Sequence, residues 1–332
     1  MIEVKHVCKY FSKPYREPGF KGAIRTLFSH KKIITKAVDD ISFSVNDGEI
    51  VGYIGSNGAG KSTTIKMMTG ILTPTSGEVL FDNLRPYDSK DRKKILKEIG
   101  VVFGQRTQLW WDLPLRDSFE LYRDIYEMSD EEYNARIKYL SELLNLEPIM
   151  MSQVRTLSLG QRMRADLAAA LIHNPKVLFL DEPTIGLDVL VKEKILQAIK
   201  EINKELHTTI ILTTHDMKDI QTLCNRVVII DEGHILYDGS LVGIKKRFGD
   251  LRHVYIRTDS VVDDQKVKVD LDDKVLSQLK PDGSYEFTYD ADKIDAQKVY
   301  SYITSNYVIK DLKVDSTSLS TIVKKIYEAK SI

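Results

Sequence analysis

The feature that most constrains this chain is a glycine-rich stretch, Gly55-Ser-Asn-Gly-Ala-Gly-Lys-Ser-Thr63, which follows the apolar run Val51–Ile54 and precedes a helical pattern. It fits GxxxxGK[ST] in the context that gives this pattern its meaning, a strand before it and a helix after it. Glycines let the backbone curl around phosphate, and the bared N–H groups at a helix N-terminus favour an anion. The loop therefore predicts a nucleotide phosphate site formed by Gly55, Asn57, Gly58, Ala59, Gly60, Lys61, Ser62 and Thr63.

A second signal is the apolar strand pattern Lys176-Val-Leu-Phe-Leu-Asp-Glu-Pro183, which ends in two adjacent carboxylates. Such a pair at a strand tip is costly unless a cation or a ligand compensates its charge. Asp181 is the candidate to hold Mg²⁺, directly or through water, and Glu182 is the candidate general base for an attacking water. The alternative is a solvated turn after a core strand, which the nearby phosphate loop disfavours.

A third signal is Leu157-Ser-Leu-Gly-Gln161 at the start of a helical pattern. It resembles the signature motif LSGGQ of the ABC ATPases, with Leu159 at the third position. Ser158, Gly160 and Gln161 would contact phosphate in that motif. Taken alone, Ser158 could equally be an ordinary helix N-cap. With the three motifs in this order, residues 1–248 resemble the ATP-binding subunits of ABC transporters.

That resemblance implies ATP hydrolysis with Mg²⁺ and assigns roles to further residues. Gln105 is similar to the glutamine that senses Mg²⁺ and the transport partner, Asp188 to the D-loop residue at the dimer contact, and His215 to the switch histidine at the γ-phosphate. Tyr10, preferred over Phe11, matches the aromatic residue that stacks on adenine. The implied catalytic residues are Lys61, Glu182 and His215, and the implied Mg²⁺ ligands are Ser62, Gln105 and Asp181.

The fold that the resemblance implies is an α/β P-loop NTPase of the ABC type. It has a RecA-like core sheet, an antiparallel β subdomain and a helical subdomain at about 105–175. We expect the ATPase domain to span 1–250 and a small α+β domain to span 251–332, because strand-like and helix-like segments continue after Phe248. The resemblance also implies a dimer, in which each ATP lies between Lys61 of one subunit and Ser158 of the other.

The class of ABC protein is narrowed by spacing and charge. Ser62 and Ser158 lie 96 residues apart, too close for the long coiled coil of the DNA-repair type, and the chain carries one cassette rather than two. Lys+Arg and Asp+Glu are both 48, so the net charge is zero and nucleic acid is not an expected partner. A transporter subunit is therefore expected, with a nucleic-acid or ribosome ATPase as the alternative.

The expected partners are a second copy of the chain, or a similar ATPase, and polytopic membrane subunits. No stretch approaches the ~20 apolar residues that span a bilayer, so we expect a cytoplasmic protein on the inner face of the membrane. The segment Gly104–Pro114, with Trp110 and Trp111, resembles ABC-2-type export ATPases. These tryptophans are either anchors for a membrane subunit or core packing of the helical subdomain.

For two parts of the chain, the sequence is compatible with more than one role. The basic segment 13–36 could contact anionic lipid or a partner, or it could be a solvated loop over the nucleotide site. The acidic residues of the C-terminal part favour a solvated turn over a cation site; they are Asp263, Asp264, Asp270, Asp272 and Asp273.

Cys8 and Cys224 match no metal site or disulfide framework. The transported substrate is not legible in this chain.

Overall fold

The computed structural model describes residues 1–15, 32–104, 106–248 and 251–329. It divides the chain into two compact units, Met1–Gly239 and Ser240–Ile332. Within the described residues, none of the helices combines the length and the apolar character that crossing a membrane requires.

The centre of the first unit is a six-stranded sheet in the order β5-β6-β7-β3-β8-β9. The four pairings from β5 to β8 are parallel. Parallel strands are covered on both faces, which explains their continuous apolar sequences. The strands are β3 (Ile50–Gly55), β5 (Ile99–Phe103), β6 (Val177–Asp181), β7 (Thr209–Thr213), β8 (Arg226–Asp231) and β9 (His234–Ser240).

A three-stranded antiparallel sheet in the order β2-β1-β4 completes the β structure of this unit, with β1 at Ile2–Pro14, β2 at Lys32–Val45 and β4 at Ser76–Phe81. The first two strands are long, with 13 and 14 residues. Their paired ends, from the pair Tyr10–Lys36 to the pair Pro14–Lys32, are mostly solvent-exposed and lack apolar alternation. The ends of the basic segment 13–36 therefore lie in this hairpin, and its middle lies outside the described residues.

The helices of the first unit lie between its strands in the chain order. Three of them form the helical region between β5 and β6, together with the 3₁₀ turns Glu147–Ile149 and Val154–Thr156. Two of these three begin with a capping box, in which the N-cap serine and the third helical residue bond reciprocally. The helices are α1 (Lys61–Met68), α2 (Ser89–Leu96), α3 (Leu115–Ile125), α4 (Asp130–Leu144), α5 (Leu159–Leu171), α6 (Val189–Leu206) and α7 (Met217–Leu223).

The second unit contains both helices and strands and begins at Ser240, whereas the sequence predicted a small α+β domain from residue 251. Its sheet has the order β11-β12-β10-β13 with antiparallel pairs, and the chain order β-α-β-β-α-β is that of a split βαβ arrangement. Val254, Phe287 and Val299 belong to its buried core. The elements are α8 (Leu241–Phe248), β10 (Leu251–Arg257), α9 (Asp264–Asp270), β11 (Leu276–Leu279), β12 (Tyr285–Asp290), α10 (Ala296–Asn306), β13 (Asp311–Ser316) and α11 (Leu319–Ala329).

The acidic residues of the second unit have local structural roles. Asp263 caps α9 by accepting from the N–H of Gln265, and Asp264 pairs with Lys268 at 2.5 Å. In the parts of the chain that the structure covers, no group of three or more His, Cys, Asp or Glu side chains is placed to hold a metal ion.

Candidate functional site

The phosphate loop connects β3 to α1 at the carboxyl edge of the parallel sheet. Gly60 has φ 108°, and a Cβ at this position would lie 2.5 Å from the carbonyl oxygen of Ala37, so the backbone requires glycine here. Lys61 donates to the carbonyl oxygens of Gly55 (2.7 Å) and Ser56 (3.0 Å) and is only 9% exposed. Its ammonium group is thereby held across the turn of the loop.

The electrostatics of Lys61 are set by two opposing influences. Burial lowers the pKa of its ammonium group, while the charges of Glu182 and Asp181 oppose this effect. The sheet thus brings a buried cation and two carboxylates to one edge, although they lie about 120 residues apart in the chain. An additional anion at the loop would compensate the desolvated cation.

Asp181, at the end of β6, is oriented by two hydroxyl groups. Ser62 donates to its Oδ2 at 3.1 Å, and Thr213, at the end of the neighbouring strand β7, donates to its Oδ1 at 2.5 Å. Hydroxyl and carboxylate oxygens form the hard donor set that Mg²⁺ prefers. The sequence did not single out Thr213, because the pairing of β6 with β7 is needed to place it beside Asp181.

Glu182 and His215 lie next to each other at this edge. Nδ1 of His215 is 2.8 Å from Oε2 of Glu182, and the backbone N–H of Glu182 donates to the carbonyl of Thr213 at 3.0 Å. Glu182 has φ 57°, a conformation that costs energy in a non-glycine residue and is concentrated at functional sites. The side chain of Glu182 is 21% exposed and that of His215 is 67% exposed. Both predicted catalytic side chains are therefore reachable from solvent.

Ser158 is the N-cap of α5, as the alternative interpretation of the sequence expected. Its backbone N–H donates to Gln161 Oε1 at 2.8 Å, and the N–H of Gln161 donates to Ser158 Oγ at 3.3 Å. Gly160 permits a close approach of helices, since a Cβ there would lie 2.8 Å from a methyl group of Val191 on α6. In the described residues, the hydrogen bonds of Ser158 go to its own helix rather than to the phosphate loop.

Asp188 is the N-cap of α6 and accepts from the N–H of Val191 at 3.0 Å. The preceding segment is held by a buried network that the sequence did not reveal. Thr184 donates to Asp219 at 2.6 Å, and Lys192 pairs with the same carboxylate at 2.7 Å. The turn after Glu182 is therefore fixed to α7.

Tyr10 is connected to the phosphate loop through Asp39. Its hydroxyl donates to the Asp39 carboxylate, which raises the pKa of Tyr10, and Lys36 pairs with the same carboxylate at 2.9 Å. The Asp39 N–H donates to the carbonyl of Gly233 (2.9 Å), and the Gly233 N–H donates to the carbonyl of Ala59 (3.0 Å). These contacts link the Tyr10 ring to the loop, and Asp39 was not predicted.

The segment Thr107–Leu113, called here the tryptophan loop, follows Gln105, which lies outside the described residues. Trp110 is 39% exposed and Trp111 is 49% exposed. The ring of Trp110 meets that of Tyr122 edge to face at 5.5 Å. Both indoles are therefore on the surface, which contradicts the alternative of core packing.

Comparisons with known proteins agree with this geometry. The family model for the ABC transporter matches residues 38–185. The chain is 33% identical over 232 residues to the ABC transporter ATP-binding protein NatA of Bacillus subtilis, covering 69% of this chain and 93% of NatA. It is 37% identical over 210 residues to the methionine import ATP-binding protein MetN of Geobacillus kaustophilus, covering 63% of this chain and 61% of MetN.

Solved structures of ABC cassettes are also similar to this chain. The ATP-binding cassette MJ0796, determined as a dimer bound to ADP and Pi, has a TM-score of 0.61 and 29% identity, covering 73% of this chain and 99% of that one. The cbiO1 protein of Clostridium perfringens, part of the ABC transporter complex cbiONQ, has a TM-score of 0.60 and 27% identity, covering 81% and 94%. The predicted ABC-type α/β fold is confirmed. With its phosphate loop, carboxylate pair and signature helix in this arrangement, the chain belongs to the ATP-binding subunits of ABC transporters and is an ABC transporter ATPase.

Proposed function

We propose that this ATPase uses Mg²⁺ and ATP to drive an exporter, as a dimer bound to separate membrane subunits. The observation that carries the catalytic part is the convergence of Lys61, Asp181, Glu182 and His215 on one edge of the sheet. Phosphoryl transfer to water needs chiefly positioning and charge stabilisation, and these residues offer both.

Each side chain has a distinct part in this proposal. Lys61, already within the phosphate loop, stabilises the negative charge of the β- and γ-phosphates. Glu182 orients the attacking water and accepts its proton, and His215, 2.8 Å away, holds the Glu182 carboxylate in position and contacts the γ-phosphate. The loop residues from Gly55 to Thr63 supply N–H groups to the phosphates, and Tyr10 stacks on adenine.

The Mg²⁺ ion fits the oxygen donors that the chain presents. Ser62 and Asp181 would hold it, because their oxygens lie 3.1 Å apart and neither is a soft ligand. When bound, the ion neutralises charge on the transferred phosphate. Few protein ligands are expected at such a site, since Mg²⁺ usually keeps waters and substrate phosphates as its other ligands. Gln105 is a further proposed ligand.

The dimer is supported by the position of the signature helix. In the described residues Ser158 does not bond to the phosphate loop of its own chain, so a second copy is the natural source of its phosphate. The N-terminus of α5 carries a partial positive charge that favours the γ-phosphate of that copy. Exposed apolar residues next to Asp188, Val189 (71%) and Leu190 (72%), would be covered in such a dimer. MJ0796, a similar cassette, was solved as a dimer.

Export rather than import is supported by one observation. The tryptophan loop resembles that of ABC-2-type export ATPases, and its exposed indoles suit a contact with a membrane subunit. Import is the second candidate, because MetN has the higher identity, 37%.

The hydrolytic role is tested with Glu182→Gln. This variant should retain ATP affinity, hydrolyse ATP at least about 100-fold more slowly and elute as a dimer when ATP is present, because the base is lost but the phosphate contacts remain. Glu205→Gln is the matched control, since in the part of the chain that the structure describes its carboxylate accepts from the hydroxyl of Tyr139 (2.8 Å) and is not bonded to the phosphate loop, Asp181 or His215. Hydrolysis by Glu182→Gln at the parental rate would remove Glu182 from the mechanism.

The direction of transport needs a separate experiment. The membrane proteins that co-purify with the chain are reconstituted in vesicles with the ATPase outside, so the lumen corresponds to the exterior of a cell. Export predicts that radiolabelled methionine loaded into the lumen stays there when ATP is added. ATP-driven loss of methionine would establish import and refute the export proposal, whereas co-purification of a ribosome would refute both.

A further inference from the structure

The tryptophan loop is attached to the segment that leads into the signature helix α5. The backbone N–H of Arg155 donates to the carbonyl of Trp111 at 3.0 Å, and the N–H of Val154 donates to the carbonyl of Leu113 at 3.1 Å. The side chain of Arg155 also pairs with Asp112 at 3.4 Å. Contacts of this kind fix one end of the loop immediately before Ser158.

The other end of the loop is attached to α5 itself. Asp166 Oδ1 accepts from the hydroxyl of Thr107 at 2.8 Å and from the backbone N–H of Gln108 at 3.0 Å. One helical turn earlier on α5, the guanidinium of Arg162 lies 5.8 Å from the centre of the Trp111 ring. Residues four apart share a helix face, so Arg162 and Asp166 present one face of α5 to the loop.

The carboxylate of Asp166 is buried in α5, where its desolvation costs free energy of folding. It is 4% exposed, and burial raises the pKa of its carboxyl group to about 6. A buried carboxylate that loses its hydrogen-bond donors is strongly destabilised, and two of the donors to Asp166 come from the tryptophan loop. Moving the loop away from α5 would therefore leave this carboxylate without those donors, so the two elements favour movement as one body.

From these contacts we propose that Asp166 is a positioning residue that couples the tryptophan loop to the signature helix. This role rests on the proposed function, in which ATP binds at the signature motif and a membrane subunit binds at the tryptophan loop. Asp166 would then transmit the effect of each ligand to the site of the other. Force or displacement at Trp110 and Trp111 reaches the N-terminus of α5 through Asp166, and engagement of that N-terminus by ATP reaches the tryptophans. Coupling of two sites is reciprocal in binding free energy.

The chain contains its own reporter for this coupling. Its two tryptophans are Trp110 and Trp111, so intrinsic tryptophan emission reports the tryptophan loop alone. The experiment uses the full chain with Glu182→Gln as the parent, so that ATP binds without rapid turnover. MgATP is titrated while the tryptophan emission is recorded, and ATP affinity is measured separately by calorimetry.

The decisive variants are Asp166→Asn and Thr107→Ala in this parent. Asp166→Asn removes the charge. Thr107→Ala removes one of the two bonds to Asp166, together with the bond that the Leu109 N–H donates to the Thr107 hydroxyl at 3.1 Å, and it leaves the N–H of Gln108 on the carboxylate. Thr156→Ala is the matched control, because its hydroxyl bonds to the carbonyl of Gln153 (2.7 Å) and not to the loop. If Asp166→Asn fails to fold, Thr107→Ala decides the question.

The coupling proposal predicts an emission change in the parent on binding MgATP. In Thr107→Ala and Asp166→Asn the amplitude of that change should fall by at least half, with ATP affinity within about twofold of the parent, while Thr156→Ala keeps the full amplitude. Full amplitude in Thr107→Ala, or a parent that binds ATP without any emission change, would overturn the coupling. A parent that does not bind ATP would instead overturn the proposed function on which it rests.

Discussion

The hydroxyl of Thr213 gives the sharpest test of the proposed Mg²⁺ site. Thr213 is fully buried and donates to Oδ1 of Asp181, which leaves Oδ2 directed at Ser62. Thr213→Val keeps the shape of the side chain but removes this donor. It also removes the hydroxyl oxygen that accepts from the Glu182 N–H at 3.2 Å, but that N–H keeps its bond to the carbonyl of residue 213 at 3.0 Å, so the main expected change is at the Asp181 carboxylate.

The size of the effect follows from the role of the hydroxyl. Groups that orient a metal ligand typically contribute about 10- to 100-fold in metal affinity or activity. At about 1.4 kcal/mol for each tenfold change, this range is about 1.4–2.8 kcal/mol. It agrees with the value of a hydrogen bond to a charged group, about 1.5–3 kcal/mol. We therefore expect the Mg²⁺ concentration for half-maximal ATPase activity to rise about 10- to 100-fold in Thr213→Val.

The assay measures ATPase rate against free Mg²⁺ at a fixed, saturating ATP concentration. Thr209→Val is the matched control, because Thr209 is on the same strand, is 2% exposed and accepts from the N–H of Gly48 at 2.9 Å, away from Asp181. Both variants should lose some thermal stability, but Thr209→Val should keep the parental Mg²⁺ requirement. An unchanged Mg²⁺ requirement in Thr213→Val would refute the reasoning.

Three further predictions follow from other contacts. Tyr10→Ala should weaken ATP binding by about 1–3 kcal/mol, the value of a base stack, while Tyr10→Phe should retain most of the affinity; calorimetry measures both, and equal losses would argue against stacking. Replacing Trp110 and Trp111 with alanine should abolish co-purification of the membrane subunit without changing ATP affinity, because both indoles are exposed, and co-purification at the parental level would argue against their role as anchors. Asp166→Asn should alter the pH dependence of unfolding, since the pKa of about 6 lies above the ordinary 3.8 of Asp. The folded parent then keeps its proton longer than the unfolded chain, and its stability relative to Asp166→Asn should fall by up to about 3 kcal/mol as pH rises from 4 to 7; a constant difference between the two proteins over this range in denaturant titrations would show that Asp166 is not perturbed.

Local patterns were sufficient for the parts of the site that are contiguous in the chain. The phosphate loop, the strand that ends in Asp181 and the helix that starts after Ser158 are each marked by residues within one short segment. A glycine that must adopt a positive φ, a continuous apolar strand and a capping serine are local requirements, so they leave local signals.

The residues that the sequence did not reveal act through tertiary contacts. Thr213 and Asp181 meet only when β6 and β7 pair, and Asp39 meets Tyr10 only across the β1–β2 hairpin. Asp166 sits among alanines and leucines of α5, where its donors come from a loop about 60 residues earlier. Which polar side chains lie opposite each other depends on strand pairing and helix packing, and neither is specified within a short window.

The link from Tyr10 through Asp39 and Gly233 to Ala59 has a consequence for selectivity. These hydrogen bonds hold the Tyr10 ring and the phosphate loop in a fixed relation. The protein therefore sets the distance between two half-sites, the ring that would bind adenine and the loop that would bind phosphate. In the proposed function a nucleotide reaches both half-sites through its ribose, and docking one end holds the other at a high effective concentration. Free phosphate or free adenine would occupy one half-site and would not gain this effective concentration at the other. In the proposed function the site therefore selects its ligand by the distance between base and phosphate as well as by charge.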